Sequence, residues 1–121
     1  MISKKKIIII DDEEMILELL ADFFETSHFI VQTFSSPITA FEYIQNNPEH
    51  FDFILSDFKM PGMNGGELFQ GIFDLLKIKK PFVIMTGEAE LNEQQLLRLG
   101  VKKVFYKPIK LGELVSYFEN L

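Results

Sequence analysis

The run of four isoleucines at positions 7 to 10 is the feature that most constrains the fold of this chain. In a half-buried strand apolar and polar residues alternate, whereas residues 5–10 present apolar side chains on both faces. Such a run is typical of a central strand in a parallel sheet, which helices cover on both sides. It ends in Asp11-Asp12-Glu13-Glu14, so the strand is predicted to lead directly into carboxylates.

The rest of the chain alternates strand-like runs with helix-like segments, which predicts a parallel sheet between two layers of helices with right-handed crossovers. The predicted strands cover residues 5–10, 29–34, 51–56, 81–85 and 101–106. Five helices follow them in turn. The first is closed by Ser27-His28 and the second runs from Ser36-Pro37 to Asn46, while the others cover residues 67–78, 90–99 and 112–121. Asn64 is expected to cap the third helix.

Apolar spacing predicts which helical residues face the core. In the first helix the predicted core stripe is Ile16, Leu19, Leu20 and Phe23, and the residues expected to flank it are Met15, Leu17 and Phe24. In the third helix the predicted stripe is Leu68, Ile72, Leu75 and Leu76. The fourth helix is polar, with Leu96, Leu97 and Leu99 as its main apolar residues, so we expect it to be weakly anchored.

Length and charge limit the classes of function. A chain of 121 residues suits one domain, which we expect to span residues 1–121. The net charge of −6 argues against direct nucleic-acid binding and leaves room for a bound cation. No apolar run approaches the ~20 residues of a membrane span, and we expect a cytoplasmic protein without membrane insertion. The chain has no cysteine, which excludes disulfides and thiolate metal sites.

Four of the predicted strands end in polar residues of a particular kind. These residues are Asp11 and Asp12, Asp57, Thr86, and Lys107. Taken singly, each suits an ordinary helix start, strand end, turn or loop. In a parallel sheet, however, the carboxyl ends of the strands share one edge, where open α/β sheets bind ligands. Three carboxylates at one place need a cation, and oxygen ligands without histidine or cysteine suit Mg²⁺ or Mn²⁺. Lysine and threonine would complete a site for a phosphoryl group, with Asp57 as the nucleophile.

The motifs at these strand ends resemble those of the receiver domain of two-component response regulators. They are Ile10-Asp11-Asp12-Glu13, Ser56-Asp57 with Met60-Pro61-Gly62-Met63-Asn64-Gly65, Met85-Thr86-Gly87, and Lys107-Pro108. The resemblance covers essentially the whole chain. It implies the flavodoxin-like strand order 2-1-3-4-5, which is known for the chemotaxis regulator, and a cis peptide bond before Pro108.

The resemblance also implies roles for these residues. Asp57 would accept a phosphoryl group from a sensor histidine kinase or a histidine phosphotransfer protein. Asp12, Asp57 and the backbone carbonyl of Lys59 would ligate Mg²⁺ directly, and Asp11 would hold it through water. Lys107 would contact the phosphoryl group, and Thr86 would move toward it and reshape the face formed by strand four, helix four, strand five and helix five. The output partner is unknown, and the chain is expected to be a monomer or weak dimer.

Three further positions are of interest. Val104 stands where the family usually has the aromatic switch residue, so the signal is expected to leave through residues 86–99 instead. Lys59 and Glu88 lie two residues after Asp57 and Thr86, where they would either pair and modulate phosphate loss or be two solvated charges.

Two alternatives to a phosphorylation switch stay open at the level of sequence. One is a small phosphohydrolase with an aspartate nucleophile, but such enzymes usually carry a second aspartate where this chain has Lys59. The other is a degenerate receiver that only binds partners, which the complete set of site residues argues against. We therefore expect a phosphoacceptor rather than an enzyme with turnover.

Overall fold

The computed structural model describes residues 4–87 and 91–121, and these form a five-stranded sheet flanked by helices. The strands are β1 (Lys6–Ile10), β2 (Ile30–Phe34), β3 (Phe53–Asp57), β4 (Phe82–Thr86) and β5 (Lys103–Tyr106). The helices are α1 (Glu14–Thr26), α2 (Pro37–Asn46), α3 (Gly65–Gln70), α4 (Glu93–Leu99) and α5 (Leu111–Glu119). A π-helical turn, Gly71–Leu75, continues α3.

The strand order is β2-β1-β3-β4-β5 and all neighbouring strands are parallel, which confirms the predicted topology. The register places Ile10 opposite Ser56, Asp57 opposite Met85, and Thr86 opposite Tyr106. The residues that follow these strands therefore meet at one edge of the sheet.

The isoleucine run divides between two cores, as expected for a central strand. Ile8 and Ile10 face one core, to which α2, α3 and α4 contribute, for example through Ile44 and Leu68. Ile7 and Ile9 face the other core, which α1 and α5 close. All four isoleucines are fully buried, so β1 is a rigid base for the acidic residues that follow it.

The core stripe of α1 differs from the predicted one. Leu17, Leu20 and Phe24 are buried, whereas Leu19 and Phe23 are 52% and 38% exposed. The helix carries enough apolar residues for two overlapping stripes, and periodicity alone does not choose between them. Phe24 decides the outcome because its ring packs against Phe29 and Phe118 in the core.

The prediction of the inner stripe of α3 is also wrong at one position. Leu68 and Ile72 are buried, but Leu75 is 77% exposed. The amide of Leu76 donates to the carbonyl of Gly71, a π-type hydrogen bond that inserts one residue into the turn. The insertion rotates Leu75 away from the side that an uninterrupted α-helix would have buried.

Helix boundaries depart from the predicted ones by a few residues. Asn64 caps α3 as predicted, and together with Glu67 it forms a capping box. The helix begins at Gly65, however, and the helical segment ends at Leu75 rather than at residue 78. The fourth helix begins at Glu93 after the cap residue Asn92, so residue 91 is not helical. No helix in the described ranges is long and apolar enough to cross a membrane.

Candidate functional site

Three aspartates converge at the carboxyl edge of the sheet. One carboxylate oxygen from each of Asp11, Asp12 and Asp57 lies within 4.8 Å of the others. Asp11 follows β1 and is fully buried, and Asp57 ends β3 and is 5% exposed, whereas Asp12 faces solvent. The sheet thus forms the cluster that the strand ends predicted.

Backbone amides hold the two buried carboxylates in place. The amide of Glu13 donates to Asp11 Oδ1 at 2.9 Å, and the amide of Phe58 donates to Asp57 Oδ1 at the same distance. Both donors lie just beyond a strand end, and the Phe58 amide donates at the same time to the carbonyl of Met85 at 2.9 Å, which ties this end of β3 to β4. The orientation of each carboxylate is therefore fixed by the fold.

The loop between β3 and α3 packs tightly against the carboxyl-terminal end of β3. The amide of Gly65 donates to the carbonyl of Phe58 at 2.7 Å, which closes the loop. A Cβ atom at Gly65 would lie 2.7 Å from the carbonyl oxygen of Asp57. Glycine is required here because no larger residue fits that approach.

Lys107 brings a positive charge to the cluster. Its ammonium nitrogen lies 3.4 Å from Asp57 Oδ1 and 3.8 Å from Asp11 Oδ2, and its side chain is 30% exposed. The peptide bond between Lys107 and Pro108 is cis, as predicted. The site thus combines three carboxylates with one ammonium.

Burial dominates the electrostatics of the cluster. Desolvation raises the pKa of Asp11 to about 6, against the hydrogen bond from Glu13 and the charge of Lys107, which lower it. The pKa of Asp57 is also raised, mainly by desolvation, while Lys107 opposes the shift. One lysine does not offset the cost of holding these carboxylates ionised away from water, so the cluster favours further positive charge.

The donor set fits a hard divalent cation. Asp11 Oδ2 is a buried oxygen that accepts no hydrogen bond from the described residues. Together with Asp12 and Asp57 it offers only oxygen ligands, which suit Mg²⁺ or Mn²⁺. An unsatisfied buried carboxylate oxygen is costly, and a cation at the cluster would remove that cost.

A cleft of about 560 Å³ opens over the cluster. Asp12, Asp57 and Lys107 line it together with Glu13, Lys59, Met60, Pro61 and Gly87. The sequence predicted no role in the site for Glu13, although its amide anchors Asp11. The position of Glu13 directly after Asp11-Asp12 was the sequence signal that could have indicated this role.

Thr86 lies where the sequence predicted, at the end of β4. It is fully buried, and its carbonyl accepts a hydrogen bond from the amide of Lys107 at 2.8 Å. The backbone therefore links β4 directly to the residue whose ammonium faces Asp57.

The three further positions have different surroundings. Val104 is 4% exposed in β5 and packs in the core that α4 covers. Lys59 lies on the rim of the cleft, whereas Glu88 falls outside the described residues, so their pairing stays a prediction.

One contact was not predicted. Tyr106 is 44% exposed, and its hydroxyl donates to Glu93 Oε1 at 2.7 Å. This hydrogen bond joins β5 to the first turn of α4. The sequence offered no signal for it, because the two residues are brought together by the packing of α4.

Comparisons with known proteins agree with this geometry. Residues 7–119 match the family model described as the response regulator receiver domain. The transcriptional regulatory protein FlgR of Helicobacter pylori is 35% identical over 107 residues, which are 87% of this chain and 26% of FlgR. The matched regions of two further relatives, ARR10 of Arabidopsis thaliana and YesN of Bacillus subtilis, are 21% and 32% of those proteins. The chain therefore spans a third or less of the length of these curated relatives.

Solved structures share the fold. A CheY-like response regulator receiver domain protein from Methanospirillum hungatei superposes with a TM-score of 0.87 at 27% identity, covering 98% of this chain and 93% of that one. The CheX-CheY-BeF3-Mg²⁺ complex of Borrelia burgdorferi gives a TM-score of 0.85 at 21% identity, covering 96% and 87% of the two chains, and supports the fold alone. The family match over nearly the whole chain, together with the acidic cluster, establishes that this chain belongs to the response regulator receiver domains of two-component signalling.

Proposed function

We propose that Asp57 is the phosphoacceptor of a phosphorylation-activated switch. The observation that carries this proposal is the placement of Asp57: its carboxylate ends β3 at the floor of an open cleft, 3.4 Å from the Lys107 ammonium and beside two further aspartates. A carboxylate in such surroundings is suited to attack a phosphoryl group whose negative charge the neighbouring cations neutralise.

In the proposed transfer, a carboxylate oxygen of Asp57 attacks the phosphorus of a phosphohistidine. The bond between phosphorus and the imidazole nitrogen breaks, its electron pair stays on the imidazole, and an acyl phosphate forms on Asp57. Attack by water later hydrolyses the acyl phosphate to phosphate and the free carboxylate. The donor is a sensor histidine kinase or a histidine phosphotransfer protein. The chain is thus a phosphoacceptor with slow self-dephosphorylation, and not an enzyme with an external substrate.

The other residues of the cleft would hold the metal and the phosphoryl group. The carboxylates of Asp11, Asp12 and Asp57 would hold Mg²⁺, with the backbone carbonyl of Lys59 as a further ligand. When bound, Mg²⁺ supplies positive charge beside the phosphoryl oxygens. The Lys107 ammonium, 3.4 Å from Asp57 Oδ1, would contact the same oxygens, and the Thr86 hydroxyl would donate a hydrogen bond to one of them.

Intact-mass spectrometry with acetyl phosphate tests the acceptor. We expect one phosphoryl adduct that requires Mg²⁺ and disappears in Asp57→Asn and in EDTA. Asp74→Asn, which removes an exposed carboxylate outside the cleft, is the matched control and should be modified like the wild type. An adduct in Asp57→Asn, or one that is indifferent to EDTA, would show that the assignment is wrong.

Phosphate release from an aryl phosphate, measured alongside the mass adduct, separates the two alternatives. A phosphohydrolase would release many equivalents of phosphate per chain from an aryl phosphate, whereas the proposed switch would not turn over. A degenerate receiver would acquire no adduct under any of these conditions.

The kinase would dock on α1. Met15, Leu19 and Phe23 recur at helical spacing on this helix and are 84%, 52% and 38% exposed. This exposed apolar stripe next to the cleft could pack against the helix of the donor protein that carries the phosphohistidine. Leu19→Ser should slow transfer from a kinase and leave transfer from acetyl phosphate unchanged.

The output partner would bind the face formed by α4, β5 and α5. Only Leu96 of α4 is fully anchored in the core, while Leu97 and Leu99 are about 40% and 39% exposed. Displacement of α4 should therefore cost little free energy. Val104 is too short to gate a pocket by rotation, so the signal is proposed to travel through residues 86–99, of which residues 88–90 lie outside the described ranges.

Amide-exchange mass spectrometry with and without beryllofluoride tests this route. We expect the main change across residues 86–99 and little change at residues 104–106. Val104→Ala should keep partner affinity within a few-fold of the wild type. A dominant change in β5, or loss of phosphorylation-dependent binding in Val104→Ala, would contradict it.

Lys59 and Glu88 are proposed to modulate the lifetime of the phosphorylated state. If they pair across the cleft, they hinder the attacking water, and Lys59→Ala and Glu88→Ala should each speed phosphate loss. The double variant should then lose phosphate no faster than the faster single variant. Strictly additive effects on the logarithm of the rate would argue against coupling.

A further inference from the structure

The lysines of this chain are distributed very unevenly. The chain has a net charge of −6, yet residues 75–87 contain three lysines and no carboxylate. Residues 94–112 contain five lysines and arginines and no carboxylate. Two acid-free segments in an acidic chain create a local positive field that the overall charge conceals.

The fold places these two segments next to each other. The first leads into β4 and the second into β5, and the amide of Lys102 donates to the carbonyl of Phe82 at 2.8 Å. Lys103 lies opposite Val83 in the parallel ladder. The lysines before both strands therefore lie at the amino edge of the sheet, opposite the edge that carries Asp57.

Four of these lysines are exposed. They are Lys77, Lys79, Lys102 and Lys103. Within residues 4–87 and 91–121, none of them forms an ion pair. The ammonium groups of Lys79 and Lys103 instead lie over the rings of Phe73 and Phe105, at 5.5 and 5.6 Å from the ring centroids. These charges are available to an anionic group from outside.

Exposed leucines lie beside the lysines. The π-helical turn leaves Leu75 77% exposed, two residues before Lys77, and Leu99 at the end of α4 is 39% exposed. The segments that carry them touch, because a Cβ atom at Gly100 would lie 3.2 Å from the ring of Phe73. We call the surface formed by Leu75, Lys77, Lys79, Leu99 and Lys102 the basic corner. Lys103 is not part of it, because its ammonium lies over Phe105 on the α5 face of the sheet.

We propose that the basic corner is a docking site for an acidic segment of a partner protein that also carries large apolar side chains. Glutamates or aspartates of that segment pair with the lysines, and its apolar side chains cover the two leucines. A protein segment is favoured over nucleic acid because the leucines offer nothing to a phosphate backbone, and the acidic remainder of the chain repels an extended polyanion. The site is remote from the cleft, so its occupation does not require phosphorylation of Asp57.

The probe is a short glutamate-rich peptide with two leucines one helical turn apart, titrated into the isotope-labelled chain and followed by NMR. A control peptide has serines in place of the two leucines. We expect shifts concentrated in residues 75–80 and 99–102, weakening as salt is added. The serine peptide should bind about five-fold more weakly, because it buries less apolar surface.

Charge reversal locates the site. Lys79→Glu with Lys102→Glu should weaken binding of the leucine peptide about ten-fold, since each reversal replaces an attraction by a repulsion. The matched control reverses Lys4 and Lys5, two exposed lysines that precede β1 at the same edge of the sheet, and should bind like the wild type. Asp57→Asn should also bind normally, so failure here is distinguishable from failure of the proposed phosphotransfer.

Three results would overturn the proposal. Equal binding of the leucine and serine peptides would remove the role of the leucines. Equal losses in the two charge-reversed variants would show that the attraction is not local to the basic corner. Tighter binding of a short DNA duplex than of the leucine peptide, at the same salt, would identify a general polyanion surface instead.

Discussion

Replacement of Asp11 by asparagine should make the metal-free protein more stable at neutral pH. Asp11 is fully buried, and desolvation raises its pKa from 3.8 to about 6. A carboxyl group whose pKa is raised by folding binds its proton more tightly in the folded state. Its protonated form therefore contributes stability that is complete below pH 3.8 and is lost as the pH rises through about 6.

The size of the effect follows from the shift. A difference of about two pKa units corresponds to ~3 kcal/mol of unfolding free energy above pH 7. Asparagine keeps a side-chain oxygen that accepts the Glu13 amide, and it carries no charge to desolvate. Part of the gain is offset because Lys107 loses a carboxylate at 3.8 Å. We therefore expect Asp11→Asn to gain about 2 kcal/mol at pH 7.5, or a rise in melting temperature of several degrees.

Urea denaturation of wild type and Asp11→Asn in EDTA, from pH 4 to pH 8, measures the difference in unfolding free energy between them. The stability difference should be about 2 kcal/mol at high pH, roughly halve near pH 5 and become small at pH 4. Added Mg²⁺ should stabilise the wild type and have much less effect on the variant. Asp74→Asn, an exposed site with the same charge change, is the control and should show neither effect.

A destabilised Asp11→Asn, or a stability difference that does not change with pH, would refute the reasoning. Either result would mean that burial of the charge is not the main influence on stability at this position. A pH dependence shared by Asp74→Asn would instead point to the overall charge of the chain.

Two further predictions concern the loop between β3 and α3 and the contact between β5 and α4. Gly65→Ala should unfold more easily by ~2 kcal/mol and be phosphorylated more slowly, because its Cβ would meet the carbonyl oxygen of Asp57 at 2.7 Å. Gly112→Ala, with nothing within 4 Å of its Cβ, should be neutral or slightly stabilising in the same urea and mass assays, and equal losses in both variants would refute the steric argument. Tyr106→Phe and Glu93→Ala should each increase amide exchange in α4, because each removes the same exposed hydrogen bond, worth about 1 kcal/mol. The double variant should be no worse than either single variant. Unchanged exchange in both single variants would mean that this bond does not hold α4.

Local pattern was sufficient to predict most of the fold. The isoleucine run predicted a central strand because only a strand covered on both faces tolerates consecutive apolar residues. The cap at Asn64 was predictable because a capping box is formed between residues three apart. The members of the site were predictable for a similar reason, since each of Asp11, Asp57, Thr86 and Lys107 directly follows or ends a strand.

Other features were decided only by packing. Leu17 and Leu19 of α1 are equally apolar, and which of them is buried depends on how the helix rotates when Phe24 enters the core. Leu75 is exposed because a π-type hydrogen bond shifts the helix by one residue. Whether that hydrogen bond forms depends on tertiary contacts rather than on the helix propensity of the residues. Glu93 meets Tyr106 only once α4 has docked.

The chemical character of the site belongs to this second group. The sequence determined that three carboxylates and a lysine would share one edge of the sheet, because the carboxyl ends of parallel strands all lie at that edge. It did not determine that Asp11 is fully buried with one oxygen unsatisfied by the described residues. Nor did it determine that the chain at Gly65 passes so close to Asp57 that a Cβ atom would lie 2.7 Å from its carbonyl oxygen. Burial depends on every element that covers a residue, and only the folded chain brings those elements together.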